Sequence, residues 1–149
     1  MATLKQIEEF ISSGPIAMVG VSRNPRKFGY TAFRELKEKG MNIIPVNPFT
    51  DEILQNKVYR DIKSLPPDTK GVIIMTPKKQ TTEVIREAKA RGIKQIWIQQ
   101  MSDTPEALAE LKDTDINYIT GECILMHYKP HSIHKFHAWL MKLFGKYPK

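Results

Sequence analysis

Cysteine is almost absent from this chain: Cys123 stands alone among 149 residues. An intramolecular disulfide is therefore excluded, and a reducing compartment, the cytoplasm, is the expected location. No apolar run approaches the roughly 18 residues that a transmembrane helix needs. The N-terminal segment carries Glu8 and Glu9 without a continuous apolar core, so neither a secretory leader nor a membrane partner is expected. Glycine is sparse, with eight residues. None of them builds the G-x-G-x-x-G fingerprint, and no loop ends in Gly-Lys-Ser/Thr as a Walker A loop would. Paired carboxylates and a Ser/His/Asp order suited to hydrolysis are lacking too, and Asp103, Glu106 and Glu110 read as one solvated helix face. No internal repeat or low-complexity linker marks a second domain.

Acidic residues are outnumbered, 16 Asp and Glu against 23 Lys and Arg, for a formal net charge of +7. That balance favours a polyanionic partner, either a phosphorylated small molecule or a nucleic acid. The bases gather in the segment Arg23–Lys27, at Lys78-Lys79, and in a tail with five lysines and no acid from Lys129 onward. Nucleic acid is disfavoured because the aromatic–basic interleaving of single-strand platforms is missing. A hydrophobic content of 41% suits one well-buried core in a chain of this length.

Periodicity predicts an alternating order of helices and strands. A first helix aligns Leu4, Ile7, Phe10 and Ile11 on one face and stops at Gly14-Pro15. Strands are expected at Ile16–Val21, Asn42–Val46, Gly71–Met75, Gln95–Ile98 and Ile116–Thr120. Helices follow over Phe28–Lys39 (burying Phe28, Ala32, Phe33 and Leu36), Gln80–Arg91 and Pro105–Lys112, with the tail beginning at Gly121. Near-continuous apolar runs such as Val72–Met75 and Ile96–Ile98 are those of strands covered on both faces. Such alternation calls for parallel pairing with right-handed crossovers. The expected fold class is α/β: a three-layer, Rossmann-like sandwich with a five-stranded parallel sheet, plus a C-terminal amphipathic helix. Residues 1–128 form the expected binding domain, and 129–149 its basic helical extension.

The most informative stretch is Ile16–Ser22 followed by Arg23–Gly29: an apolar strand ending in Gly20, a basic loop, then a helix start. In that layout backbone N–H groups and a helix N-terminus receive a phosphate. Open parallel sheets bind ligands outside the carboxyl ends of their strands. The residues there are Gly20, Val21, Ser22 and Arg23, then Asn47 and Pro48, then Thr76 and Pro77, then Gln99. Ser22 can donate to a phosphate oxygen, while Arg23, Arg26 and Lys27 supply charge beside Phe28 and Gly29. An NAD site would set an acid at the end of the second strand to hold the ribose, and Asn47 stands there instead. A neutral residue with three bases nearby favours a ligand with an extra phosphate near its ribose, and coenzyme A is one.

Taken together, I-A-M-V-G-V-S, K-F-G-Y, I-I-P-V-N-P, K-V-Y-R-D-I-K-S-L-P, I-I-M-T-P and W-I-Q-Q resemble the single-domain CoA-binding proteins. They are also similar to the CoA-binding domains of succinyl-CoA synthetase and ADP-forming acyl-CoA synthetases. The resemblance covers roughly residues 10 to 128. It implies that the ADP part of coenzyme A lies across the strand ends, with phosphate contacts at Ser22, Lys27 and Gly29. Asn47 and Pro48 would then lie beside the nucleotide, and Thr76 and Pro77 along the adenine or pantetheine path. It also implies that Tyr59 packs. The segment Gly121-Glu122-Cys123 departs from the G-P-N-C-P-G element of the synthetases, and no counterpart of the domain bearing their phosphorylated histidine is expected. Acyl-CoA synthesis by this chain alone is accordingly not expected.

The leading expectation is a non-catalytic module that binds coenzyme A or an acyl-CoA, with a homodimer or an enzyme as partner. The alternative is an NAD- or NADP-dependent enzyme, or a redox sensor using Cys123. Cys123 reads more simply as a packed residue at a strand end. His127, His131, His134 and His137 lack the Cys or carboxylate that would complete a metal set. Ser132–Phe144 forms an amphipathic helical pattern through Ile133, Phe136, Leu140, Leu143 and Phe144, suited to packing on its own domain or on a second copy.

Overall fold

The computed structural model describes residues 2–129; the amphipathic helix expected beyond Lys129 lies outside them. Helix α1 (Leu4–Ile11) opens on a capping box, in which the Thr3 hydroxyl accepts from Gln6 N at 3.2 Å and the Gln6 side chain accepts from Thr3 N at 2.8 Å. Its buried face is Ile7 and Phe10. Leu4 is exposed instead of sharing that face, although Ala2 before it is buried.

The elements then run β1 (Ile16–Val19), α2 (Phe28–Glu38), β2 (Ile43–Val46), β3 (Glu52–Ile53), β4 (Asn56–Lys57) and β5 (Gly71–Ile74). They continue with α3 (Lys78–Ala90), β6 (Gln95–Gln99), α4 (Pro105–Ala109), β7 (Asn117–Glu122) and a 3-10 turn at Ile124–Met126. Five strands form one parallel sheet in the order β2-β1-β5-β6-β7. The chain steps outward from β1 to β2 and then crosses back to β5, so the winding direction switches between β1 and β5. Register pairs Val19 with both Val46 and Ile74, which brings three carboxyl ends level.

Two apolar layers sandwich the sheet. On one face Phe10, Phe33, Leu36, Met18, Ile73 and Trp97 pack together, and on the other Ile62, Leu65, Ile74, Ile85, Ala88 and Ile98. This is the Rossmann-like three-layer arrangement, with five parallel strands as expected. No helix of the described residues is long and apolar enough to cross a membrane.

Other local details differ from the periodicity: β1 ends at Val19 and α4 at Ala109, earlier than expected, and α3 starts already at Lys78. The sheet's last strand runs on through Gly121 to Glu122 instead of releasing a tail at Gly121. Trp97 Nε1 and Gln100 N both donate to the Glu122 carbonyl, at 3.1 and 3.2 Å, and hold that extension against β6. Phe28 heads α2 but is 51% exposed, so it does not join the core. Glu110 is half-buried and more than a solvated residue, since Arg86 Nε donates to it at 2.9 Å and Lys89 Nζ lies 3.5 Å away, tying α3 to the end of α4. Those two cations hold the Glu110 carboxyl below its usual range, the Arg86 hydrogen bond first.

Between β2 and β5 the chain makes the small β3–β4 hairpin, whose turn residues Leu54 and Gln55 both have positive φ. It then returns alongside β2 at Tyr59, paired in parallel with Val46. The next stretch has no regular structure. Arg91, at the C-terminus of α3, donates to the carbonyls of Ile62, Lys63, Leu65 and Pro66 and so satisfies the backbone there.

Candidate functional site

The level carboxyl ends of β1, β2 and β5 open into a cleft of about 480 Å³, within the size range of small-molecule sites. Gly20, at φ +99°, follows β1, and a Cβ there would strike the Met75 carbonyl. A Cβ on Gly29 would strike the carbonyl of Gly20. Gly29 thus lets the start of α2 press onto the end of β1, and Gly20 lets the end of β1 press onto that of β5, leaving backbone instead of side chains at the cleft floor.

Helix capping distinguishes this region from the rest of the fold. Thr3 and Thr104 cap α1 and α4 through their side chains. Helices α2 and α3, which start at the cleft, have Lys27 and Pro77 at their N-caps, no side-chain cap and no acid in the first turn. Lys78 and Lys79 even place positive charge at the positive end of α3. Tyr30 N and Gln80 N donate to the Lys27 and Pro77 carbonyls, at 3.2 and 2.9 Å; the N–H groups of the two residues before each of them are left to solvent or a ligand.

Of the residues singled out from sequence, Gly20, Val21, Ser22, Lys27, Phe28, Gly29, Asn47, Pro48, Thr76 and Pro77 line this one cleft. The Ser22 hydroxyl accepts from Asn24 N at 3.0 Å, which leaves its own proton to donate. The Thr76 side chain is tied inward: its hydroxyl meets that of Thr81 at 3.0 Å, Thr81 donates to the Ser102 carbonyl, and Ser102 donates back to the Thr76 carbonyl.

Asn47 joins the two loops that border the cleft. Its Nδ2 donates to the Val21 carbonyl at 2.8 Å, and its Oδ1 accepts from Phe49 N at 2.7 Å. The residue standing where an NAD site carries its ribose-binding acid is therefore occupied in holding the loops together. Arg23 and Arg26 are exposed on the basic loop, outside the cleft lining. Gln99 lies apart as well, buried, with its Oε1 accepting from Ile124 N at 3.0 Å.

Sequence reasoning passed over Val19, Val46, Phe49, Met75 and Gln80, which complete the lining. The signal for Phe49 was present, an aromatic residue directly after the Asn-Pro that ends β2. Cys123 is half-buried against the core and does not line the cleft. The His127 side chain is buried, 3.1 Å from Glu122 Oε2, with its ring tilted against Trp97. Among the described residues no group of His, Cys, Asp and Glu could hold a metal ion; the other three histidines lie outside them.

Comparison with known proteins adds to this geometry. A family model described as a CoA binding domain matches residues 15–129. The α subunit of ADP-forming acetate–CoA ligase II from Pyrococcus furiosus is 33% identical over 93 residues, covering 62% of this chain and 20% of that subunit. The chain thus spans about a fifth of that relative. The uncharacterised protein YneT of Bacillus subtilis is 29% identical over 120 residues, 80% of this chain and 89% of that protein. Among solved structures, a conserved hypothetical protein from Pyrococcus furiosus superposes with a TM-score of 0.72 at 36% identity, over 75% of this chain and 97% of that one.

Proposed function

The chain belongs to the CoA-binding domain family and is related to subunits of ADP-forming acetate–CoA ligases, and from that footing we propose that it binds coenzyme A or an acyl-CoA in the cleft at the strand ends. The observation that carries this reading is the convergence of two uncapped helix N-termini and the Gly20–Gly29 contact on one cleft. Oriented N–H groups at helix starts, with Lys27 beside them, suit a diphosphate. The Gly29 region, Ser22 and Lys27 would hold the phosphates, and Arg23 and Arg26 lie on the same loop to meet the additional phosphate on the ribose.

No residue lining the cleft is arranged as a nucleophile with its base. The role proposed is therefore binding, with residues 1–128 as the binding unit and with any catalysis supplied by a separate enzyme subunit in the cytoplasm. The double use of Asn47 weighs against NAD, whose ribose would look for an acceptor at that place.

Thermal-shift measurements with coenzyme A, dephospho-coenzyme A, NAD and NADP test the proposal. A ligand at 100 times its Kd stabilises by about 2.7 kcal/mol, a rise in Tm of about 5–10 °C for a domain of this size. Coenzyme A should give the largest rise. A rise with NAD equal to that with coenzyme A at matched concentration would displace it as the ligand.

A further inference from the structure

Phe10 and Phe33 are fully buried, whereas Phe28 is 51% and Phe49 is 78% exposed. Both exposed phenylalanines line the same cleft. A phenylalanine held this far into water is an unfavourable arrangement for the protein alone, and its occurrence twice at one cleft mouth calls for a ligand-side reason.

The peptide group that leads into Phe49 is pinned at both of its polar atoms. Its N–H donates to Asn47 Oδ1 at 2.7 Å, and the carbonyl of the preceding Pro48 accepts from Arg60 Nη1 at 3.0 Å. The Arg60 guanidinium is itself held by Asp51, with Nη2 to Oδ1 at 2.7 Å and Nε to Oδ1 at 3.2 Å. The exposed ring is thus carried on an anchored loop. An anchored aromatic face at the edge of a cleft is a preorganised stacking surface, since its backbone entropy is lost on folding and not on binding.

The position selects what would stack there. Phosphates belong at the start of α2, beside Gly20 and Gly29. In open α/β sheets the nucleoside extends from that point toward the end of the second strand, which is where Phe49 follows Asn47-Pro48. We propose that Phe49 is the platform on which the purine of the bound nucleotide stacks, and that it sets the preference of this cleft for ligands carrying a base. This rests on the coenzyme A reading above and deepens it by assigning the base side of the cleft.

The test measures Kd by calorimetry for coenzyme A and for adenosine 3′,5′-bisphosphate, which keeps the base and its phosphates but lacks the pantetheine arm. The proteins are wild type, Phe49→Leu and Phe49→Trp, and the exposure of the site lets both variants fold with native melting. Base–aromatic stacking corresponds to roughly 5- to 150-fold in affinity. Phe49→Leu should weaken both ligands by the same factor, about tenfold, and Phe49→Trp should retain or tighten both. Weakening confined to coenzyme A would put Phe49 on the arm and overturn the assignment, as would unchanged affinity of Phe49→Leu for both ligands. A wild-type protein that binds neither ligand would instead bring down the coenzyme A reading itself, and this inference with it.

Discussion

Replacing Asn47 by aspartate changes one group and almost no volume, yet it should unfasten the border of the cleft. The present amide works in only one orientation, because Phe49 N requires an acceptor and the Val21 carbonyl requires a donor. At neutral pH an aspartate keeps the first bond and turns the second into two oxygens facing each other across a 2.8 Å spacing. One lost hydrogen bond costs about 0.5–1.5 kcal/mol, and a carbonyl left unsatisfied adds about 1–3 kcal/mol when buried. With Asn47 only half-buried, a total of roughly 2 kcal/mol follows, or a Tm lower by about 4–8 °C. The pH dependence is the sharper reading. A protonated carboxyl regains an O–H for Val21, so the folded state raises the pKa of the new acid. A raised carboxyl pKa means that the penalty is full above the folded value and shrinks as pH falls through it. Melting curves of both proteins at pH 7.5 and pH 4 would show the deficit and its recovery. Equal melting at pH 7.5, or a deficit of the same size at pH 4, would refute the bridging role of Asn47.

Gly29→Ala should destabilise the protein by about 1–3 kcal/mol, as overpacking does, because the new methyl meets the Gly20 carbonyl; a native Tm in this variant would contradict the tight strand–helix approach. Lys27→Ala should weaken coenzyme A binding by roughly 1.5–3 kcal/mol at low salt, with a smaller loss at high salt; equal affinity of both proteins at both salt concentrations would put Lys27 outside the phosphate site. Glu110→Gln should lower Tm at neutral pH, where Arg86 and Lys89 hold the ionised carboxylate. Since the folded pKa is depressed, that difference should fade as pH falls through and below the usual carboxylate range, and a difference constant from pH 7 to pH 3 would exclude the ion pair as its source.

The sheet was legible because runs such as Val72–Met75 and Ile96–Ile98 are apolar throughout and are bounded by glycine or polar residues. The cleft was legible for the same reason, since its lining follows directly from where those strands end. What escaped depends on contacts distant in the chain. Nothing near Gly121 signals that β7 continues, because the bonds holding Glu122 come from Trp97 and Gln100. Phe28 fits the apolar period of α2, but as its first residue it overhangs the cleft. Gln99 sits at a strand end like its neighbours, yet its amide oxygen is taken by Ile124 N, which only the fold brings near. Asn47 was recognised as a neutral residue in a telling place. Its use of both amide atoms in the loops on either side could not be read from its identity.

The uneven capping of the helices has a bearing on protein engineering. A serine or aspartate at an N-cap position contributes about 0.5–2 kcal/mol relative to alanine, and positions 27 and 77 are obvious places to install one. Such a substitution would raise thermal tolerance by supplying an internal oxygen to the very N–H groups that now open on the cleft. A selection for heat resistance alone would therefore fill those two positions first and leave a sturdier protein in which the anion site proposed for this cleft is blocked from within. Lysine and proline at these caps are thus a stability reserve left undrawn, and improvement of this scaffold should begin at the far ends of the strands instead.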